Sequence, residues 1–366
     1  MPRIDADAVA ALIERGERAV EEEGLPAAAL ALLWRGEVVV ARTFGAPDGA
    51  QFIAFSTTKA IVSGTILHLV SEGELSLEDR AATFVPEFDR DGFREVTVEH
   101  LLTHRAGFPN APMQTLEAAS RERRGARYRE WRLDWPPGEG HQYHPTSAHW
   151  VLADIALAVT GTPIGALSRE RVLAPLGIDD LALGVPIDEQ DRLQPVTMIG
   201  VDTPSALAIG ELFPEAAPEI IATYADPAVV AVGNPGGGAV ASAEALARYM
   251  AAWLRPDDGP WSPDWIADAT GNIRVTDLDA TTRVPANRTL VFVVAGDDGN
   301  QALRELGSSV GPRTFGCSGL GGQTAWSDPD SGLSFCFLTS GINHDLVASW
   351  KRGYELNDLA SQCVRD

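Results

Sequence analysis

The sequence predicts an α+β protein in which both ends of the chain build one antiparallel sheet, with a mainly helical lobe inserted between them. Three observations lead to this prediction: a strand-hairpin pattern near each end, an amphipathic helix at each terminus, and a middle segment rich in helix signals and prolines. We place the sheet lobe, flanked by the terminal helices, at residues 1–74 and 269–366, and the helical lobe at 75–268.

The first elements are a helix and a hairpin. Residues 6–23 carry apolar side chains at helical spacing, and Gly24 is suited to end that helix. Two apolar runs, 28–34 and 38–41, flank Arg35-Gly36-Glu37. This pattern indicates two strands joined by a tight turn.

Three helices are predicted in the centre of the chain from their apolar periodicity and their flanking residues. The first begins at or just after Ser56 and ends before Gly73. The second opens at 144–146. The third spans 242–254 and follows the glycine run 236–238, which we interpret as a turn at the edge of a pocket.

The C-terminal part returns to strands and closes with a helix. Residues 289–295 form an apolar run typical of a buried strand. Residues 323–327 and 333–339 flank the turn-forming segment 328–332, which indicates a second hairpin. Residues 345–363 have the pattern of an amphipathic helix.

The composition excludes several classes of partner. The chain of 366 residues has a formal net charge of −22, which disfavours nucleic acids and anionic membranes. It shows neither a leader pattern at its start nor an apolar run approaching the ~20 residues of a membrane span, so we predict a cytoplasmic protein. Three scattered cysteines indicate no disulfide framework. We predict no cofactor and no metal, and the oligomeric state stays open.

Lysine is rare in this chain, and one of its two lysines lies beside a serine. Ser56 and Lys59 form a Ser-x-x-Lys pattern, whereas the other lysine, Lys351, has Ala348 at the corresponding place. Nearly all other basic residues are arginine, which stays protonated, while a buried lysine can lose its proton and act as a base. The pattern therefore favours chemistry at Ser56.

Helical spacing explains how the pair would work. At the first turn of a helix, Ser56 and Lys59 lie on the same face, so the amine reaches the serine oxygen. The helix N-terminus adds partial positive charge, which favours a developing alkoxide and a neutral amine. The result is a nucleophile with an adjacent base. The structural alternative is that Ser56 caps the helix and Lys59 is a surface residue.

Two further segments strengthen the catalytic interpretation. Residues 137–143 form a turn that leads to Tyr143 just before a helix, and residues 101–107 read Leu-Leu-Thr-His-Arg-Ala-Gly. Together with Ser56 and Lys59, they resemble the serine β-lactamase/penicillin-binding-protein superfamily, and most closely its class C-like members, the family VIII carboxylesterases. The resemblance implies a β-lactamase/transpeptidase-like fold, acylation of Ser56 and proton relay by Tyr143. The alternative for Tyr143 is a packing role.

The chain departs from the family pattern after the tyrosine. His144 and Pro145 stand where relatives often have serine and asparagine, so an asparagine contact to Lys59 or to substrate is missing. His144 or Thr146 could replace it. His144 is therefore a candidate substrate-binding residue or base, with a solvated loop residue as the alternative.

The third family motif, Lys-Thr-Gly on a strand, is also absent. Cys317-Ser318-Gly319 or Leu320-Gly321-Gly322 could stand in its place. We prefer the second register, because two glycines at the start of a strand let a ligand approach the backbone. The N–H groups of Ser56 and Gln323 would then bind the oxyanion, with Leu320, Gly321 and Gly322 lining the substrate site.

The missing lysine bears on the substrate. In the family, that lysine helps to hold a carboxylate, and neither Leu320 nor Cys317 supplies its charge; Arg313 is nearby in sequence. We therefore predict a serine hydrolase, carboxylesterase-like, that cleaves small neutral esters through an acyl-enzyme on Ser56. The alternatives are an acyltransferase, an amidase or β-lactamase on the same site, and a non-catalytic binding protein. A Gly-x-Ser-x-Gly match at Ser309 is rejected because loops, rather than a strand and a helix, flank it.

Overall fold

The computed structural model describes residues 2–200, 218–256 and 259–365. Its centre is a six-stranded antiparallel sheet with the strands in the spatial order Glu37–Phe44, Ala28–Trp34, Leu333–Thr339, Gln323–Asp328, Phe315–Gly319 and Val293–Val294. Strands from both ends of the chain are therefore neighbours, as the sequence predicted. The six strands are β1 (Ala28–Trp34), β2 (Glu37–Phe44), β3 (Val293–Val294), β4 (Phe315–Gly319), β5 (Gln323–Asp328) and β6 (Leu333–Thr339).

Both predicted hairpins are present, and their turns follow from the sequence. Arg35 and Gly36 have φ values of +54° and +85°, the left-handed pair that a two-residue hairpin requires. In the second hairpin, the Asp328 carboxylate accepts hydrogen bonds from the backbone N–H groups of Asp330 and Ser331. These turn conformations and hydrogen bonds fix the register of each pair of strands.

Five helices cover the sheet or position the site. They are α1 (Ala6–Glu21), α2 (Thr58–Ser71), α3 (Ser147–Thr160), α4 (Ala243–Ala252) and α5 (Leu346–Ser361). Asp5 and Asp345 cap the two terminal helices, α1 and α5, by accepting hydrogen bonds from first-turn N–H groups. These two helices pack together over one face of the sheet, around a buried cluster that includes Leu12, Trp326 and Leu356.

The other face of the sheet carries α4, which contacts β1, β5 and β6. Behind it lies α2, which is buried on nearly all sides rather than along one apolar stripe, because other helices enclose it. One cluster of buried side chains runs from the sheet through α2 to Phe88 and Trp131 in the helical part. The division into lobes at 74 and 268 stays a prediction, and α4, predicted within the helical lobe, packs against the sheet.

Shorter elements complete the fold. The other α-helices of the described residues are Ala81–Phe84, Val98–Leu102, Thr115–Ala118, Arg121–Glu130, Ile164–Ser168, Pro218–Ala222, Pro227–Val232 and Pro263–Gly271, with a π-helix at Arg169–Leu173. Small sheets pair Ala239–Ala241 with Phe52–Ile53 and Leu181–Leu183, Thr197–Ile199 with Gly341–Asn343, and Arg3–Ile4 with Val364–Arg365. Among the described residues, no single helix is long and apolar enough to span a membrane.

One predicted strand is much shorter than expected. Only Val293–Val294 of the apolar run 289–295 pairs in the sheet. The Thr289 hydroxyl accepts hydrogen bonds from the N–H groups of Val291 and Phe292, and this side chain turns the backbone before the strand begins. A polar residue at the start of the apolar run thus delays the strand until Val293, which hydrophobicity alone did not indicate.

Candidate active site

Ser56 lies at a strained entry to α2. Phe52–Ile53 pairs with Ala239–Ala241, and the chain then turns through Phe55, whose φ is +44°. A short 3₁₀ helix, Phe55–Thr57, leads directly into α2. A left-handed aromatic residue is energetically costly, and such strain is typical of residues that the surrounding structure holds in place. Ser56 itself is half-buried and lines a cavity of about 230 Å³.

Lys59 is buried beside the serine. Its Nζ atom lies 3.2 Å from Ser56 Oγ, and only 6% of the residue is exposed. The same nitrogen donates a hydrogen bond of 2.6 Å to the carbonyl oxygen of Gly236. Because a carbonyl oxygen can only accept, one N–H of Lys59 is directed to Gly236. This hydrogen bond fixes Nζ beside Ser56 Oγ.

Tyr143 completes the group around Ser56. Its side chain is hydrogen-bonded with Ser56, and its ring centroid lies 4.8 Å from Lys59 Nζ. Burial raises the pKa of Tyr143 well above its ordinary value, while the hydrogen bond with Ser56 acts in the opposite direction. The phenol is therefore protonated at neutral pH and is a proton donor at the site. The structure thus brings together Ser56, Lys59 and Tyr143.

The glycine run 236–238 supplies the oxygen that holds Lys59, a role the sequence did not reveal. The Asn234 side chain accepts a hydrogen bond of 2.8 Å from the Gly236 N–H, and Asn234 is 3% exposed. Its Nδ2 atom lies 3.3 Å from both Tyr224 Oη and Thr115 Oγ1. Asn234 therefore orients the Gly236 carbonyl that contacts Lys59. In the family pattern, an asparagine at the position of Pro145 would make a contact to the lysine.

His144 is a structural residue, and its predicted role as a substrate-binding residue or base is wrong. The side chain is fully buried and does not line the cavity. Nε2 accepts a hydrogen bond from the Phe108 N–H at 3.2 Å, and Nδ1 lies 2.7 Å from the Gln142 carbonyl oxygen. Burial lowers the pKa of His144 to about 3. The neutral ring links two backbone segments and has no nitrogen left for substrate.

His104 contacts the loop that contains Tyr143 and His144. Its Nδ1 atom accepts a hydrogen bond of 3.1 Å from the His144 N–H. Its ring lies 4.8 Å, centroid to centroid, from the ring of Tyr143. Burial holds the pKa of His104 well below its ordinary value. Neutral, buried histidines therefore position the backbone that carries Tyr143.

The strand beside Ser56 is β4, and this corrects the predicted register of the third motif. A Cβ atom at Gly319 would lie 3.2 Å from the Ser56 backbone nitrogen, so the close approach occurs at Cys317-Ser318-Gly319. Gly321 and Gly322 have φ values of +85° and +88° and form the β4–β5 turn. They are glycines because the turn requires left-handed conformations. Leu320, Gly321 and Gly322 do line the cavity.

Gln323 is not an oxyanion donor, contrary to the prediction. The residue is fully buried at the start of β5, is paired with Gly319 across the hairpin, and does not line the cavity. Its side-chain nitrogen donates to the carbonyl oxygens of Ile53 and Thr339, at 3.2 and 2.8 Å, and its side-chain oxygen accepts from the Thr339 N–H at 2.7 Å. Gln323 joins the sheet to the strand that precedes Ser56.

The cavity also contains a cation that the sequence did not reveal. The Arg288 guanidinium carbon lies 5.2 Å from the ring centroid of Tyr143, and Arg288 lines the cavity. Arg313, considered earlier as a source of charge, instead forms an exposed ion pair of 2.9 Å with Asp330. No pattern marks Arg288, because its segment is an irregular loop before β3.

Ser309, the alternative nucleophile that the sequence analysis rejected, forms hydrogen bonds that link two surface segments. Its N–H and its hydroxyl both donate to the Asp358 carboxylate, at 2.8 and 3.0 Å, on the protein surface. It contacts no histidine or lysine among the hydrogen bonds of the described residues. Within the same part of the chain, no group of three or more histidine, cysteine or acidic side chains is arranged to hold a metal ion.

Comparison with known proteins places this arrangement in a family. The sequence profile of the family described as Beta-lactamase matches residues 9–351, which is nearly the whole chain. The chain belongs to the beta-lactamase family. The family assignment agrees with the fold and with the position of the Ser-x-x-Lys pair at the start of a buried helix.

Individual relatives include esterases. The chain is 28% identical to "Esterase/beta-lactamase LipL" of Mycobacterium tuberculosis, over 84% of this chain and 73% of that protein. It is also 28% identical to "Esterase EstB" of Burkholderia gladioli, over 92% of each chain. The solved structure of a family VIII carboxylesterase shares the fold with a TM-score of 0.80 at 22% identity, over 99% of this chain and 100% of that one. This beta-lactamase family member is a hydrolase.

Proposed function

We propose that this beta-lactamase family member is an esterase that cleaves small esters through an acyl-enzyme on Ser56. The observation that carries the proposal is the 3.2 Å contact between Lys59 Nζ and Ser56 Oγ at the wall of a cavity. A serine with an adjacent base and a substrate-sized opening has the parts that nucleophilic acyl transfer needs. The resemblance to LipL and EstB, which are named esterases, supports the same reaction class.

In the acylation step, Ser56 Oγ attacks the carbonyl carbon while the neutral amine of Lys59 takes the serine proton. The Gly236 carbonyl holds that amine in place throughout. The tetrahedral intermediate then breaks its bond to the leaving alcohol. Tyr143 donates a proton to the departing oxygen, and Lys59 returns a proton to Tyr143. A raised Tyr143 pKa supports this role, since the phenol is protonated before the reaction starts.

Backbone N–H groups would stabilise the oxyanion. Gly319 approaches the Ser56 nitrogen, and Leu320, the next residue, lines the cavity. The Leu320 N–H makes no hydrogen bond with the residues described here. We infer that the N–H groups of Ser56 and Leu320 form the oxyanion site, in place of the predicted pair. One such donor contributes roughly 2.7–4 kcal/mol of transition-state stabilisation in proteases.

Deacylation would use the same groups in reverse. Water enters from the cavity, Tyr143 takes its proton while passing the phenolic proton to the neutral amine of Lys59, and the hydroxide attacks the acyl carbon. Ser56 leaves as the hydroxyl once the proton is returned to Oγ. An alcohol or amine bound in place of water would give acyl transfer, so the same geometry also supports the acyltransferase alternative.

Pre-steady-state kinetics test the proposal. With p-nitrophenyl acetate in excess, we expect a burst of nitrophenol close to one equivalent per enzyme, followed by slower turnover. Ser56→Ala is expected to remove both phases. A Ser56→Ala enzyme that hydrolyses the ester as fast as the wild type would contradict the proposed nucleophile. Adding a primary alcohol and measuring its acetate ester separates hydrolysis from acyl transfer.

A further inference from the structure

Arg288 lines the active-site cavity together with Glu305, whose charge attracts it. Arg288 makes no ion pair with a carboxylate of the described residues, whereas Arg105, Arg274 and Arg304 each do. Its Nε atom is buried and has no hydrogen-bond partner, and its terminal nitrogens make no hydrogen bond within the same residues. A guanidinium has five N–H donors, so most of the donor capacity of Arg288 is unused.

The backbone holds this arginine rigidly. The Arg288 N–H donates to the Val275 carbonyl oxygen at 3.1 Å, and the Val275 N–H donates back at the same distance. The preceding residue, Asn287, adopts a left-handed conformation with φ +45°, and its carbonyl accepts from Val294 of β3 at 2.9 Å. These backbone hydrogen bonds fix the Cα atom of Arg288 at the wall of the cavity, so only the side-chain rotamers need to be ordered when a ligand binds.

The acidic side chains that share the cavity have other partners. The Glu305 carboxylate is hydrogen-bonded by the side chains of Ser318 and Trp350. The Asp279 carboxylate accepts from the N–H groups of Thr281 and Thr282, at 2.9 and 3.0 Å. Both carboxylates thus have other hydrogen-bond donors, and Glu305 attracts Arg288 without forming an ion pair with it, so the N–H groups of Arg288 are available to an anion from outside the described chain.

We propose that Arg288 binds a carboxylate of the substrate, so that the preferred esters carry a negative charge close to the reacting carbonyl. The proposal rests on the esterase function and defines its substrate class. Arg288 lies against the ring of Tyr143, whose side chain is hydrogen-bonded with Ser56. Arg288 and Ser56 therefore share Tyr143 as a neighbour and line the same cavity, which one substrate can occupy. A planar guanidinium binds a carboxylate in two-point fashion, which also fixes orientation.

With Arg288 in the cavity, we expect anionic substrates rather than the neutral ones that the sequence predicted. The prediction of neutral substrates followed from the lack of a lysine in the strand motif, where Cys317 stands. Arg288 supplies positive charge from a different segment, on the loop before β3. The chain repels anions at long range because its net charge is −22. Local selection of an anionic ester thus depends on short-range contacts with Arg288.

Matched ester pairs test the proposal. One pair is 4-acetoxybenzoate and its methyl ester, with the charge on the leaving group; the other is monomethyl and dimethyl glutarate, with the charge on the acyl side. We expect kcat/KM to favour the carboxylate member of at least one pair. In Arg288→Met, that ratio is expected to fall by roughly 10- to 100-fold, the worth of a charge-assisted hydrogen-bonded pair. Using a ratio within one variant cancels any loss of folded enzyme.

Arg313→Met is the control, since Arg313 pairs with Asp330 at the surface and should leave the ratio unchanged. The proposal would be overturned if the ratio of kcat/KM for the carboxylate ester to kcat/KM for its neutral counterpart were the same in the wild type and in Arg288→Met for both ester pairs. Calorimetric binding of 4-acetoxybenzoate to Ser56→Ala, with and without Arg288→Met, measures the anion site without turnover. Binding that depends on Arg288 in an enzyme that hydrolyses none of the esters would count against the esterase function alone.

Discussion

The Gly236 carbonyl oxygen accepts a hydrogen bond of 2.6 Å from Lys59 Nζ, across 177 residues of sequence. This contact joins the glycine loop to the buried Ser-x-x-Lys pair. It provides a fixed acceptor for the lysine. The chain lacks the family asparagine that could serve this role, because histidine and proline follow Tyr143. The lysine is thereby oriented by backbone, and Asn234 orients that backbone in turn.

Replacing Lys59 by methionine is expected to lower kcat/KM for p-nitrophenyl acetate by roughly 10²–10⁴-fold, the range for a positioned general base. Methionine keeps much of the apolar volume but removes the base. Lys351→Met is the matched control because Lys351, the second of the two lysines, is exposed on α5. If the two variants retained equal activity, Lys59 would not be the base.

Replacing Asn234 tests its role as a positioning residue. Asn234→Leu removes the acceptor for the Gly236 N–H, so we expect a lower kcat with little change in KM. Asn234→Asp keeps an acceptor oxygen and should restore much of kcat. Its added negative charge stabilises the protonated form of Lys59, so the acidic limb of the pH–rate profile should move to higher pH. If Asn234→Asp restored no more kcat than Asn234→Leu, the acceptor for the Gly236 N–H would not position Lys59; an unmoved limb would contradict the closeness of residue 234 to Lys59.

The buried His144 makes stability depend on pH. Its pKa falls from 6.5 to about 3 on folding, so the unfolded chain binds an extra proton between these values. The stabilisation from the neutral ring is complete above pH 6.5 and is lost as the pH falls, by up to about 1.4 kcal/mol per pH unit. We expect His144→Gln to be less stable than wild type at pH 7.5.

The stability difference between wild type and His144→Gln should narrow as the pH falls towards 5. Urea unfolding of both proteins across this range measures it, and comparing two proteins of nearly equal net charge removes the general effect of acid titration. A difference that stays constant from pH 7.5 to 5 would contradict the neutral, buried state of His144.

Gln323 should contribute to stability. Gln323→Leu leaves the carbonyl oxygens of Ile53 and Thr339 without their buried donors, so we expect a loss of about 1–3 kcal/mol in the free energy of unfolding. Gln362→Leu, at the exposed end of α5, is the control and should change stability little. Equal unfolding midpoints for the two variants would show that the hydrogen bonds of Gln323 do not stabilise the sheet.

The sequence predicted the features that depend on local pattern. The hairpin at Arg35-Gly36, the C-terminal hairpin and the terminal helices follow from alternation, turn residues and caps, which act within a few residues. The closeness of Ser56 and Lys59 also follows from one turn of helix. Tyr143 required the family resemblance, because no local rule connects it with a residue 87 positions earlier.

Long-range contacts through backbone atoms and loops were not predictable from one sequence. The carbonyl of Gly236 has no residue-type signature, and Arg288 is one arginine among many until the fold places it against Tyr143. Glycines 321 and 322 were interpreted as room for a ligand, but the turn that they form needs their positive φ values. His144 was misassigned because its burial depends on Phe108 and Gln142, which the fold brings to its ring.

Covalent labelling with a fluorophosphonate, followed by peptide mass mapping, tests the nucleophile most directly. We predict one adduct per chain, on the peptide that contains Ser56, with labelling lost in Ser56→Ala and kept in Ser309→Ala. Labelling that persists in Ser56→Ala and disappears in Ser309→Ala would contradict the assignment of Ser56 as the acylated serine.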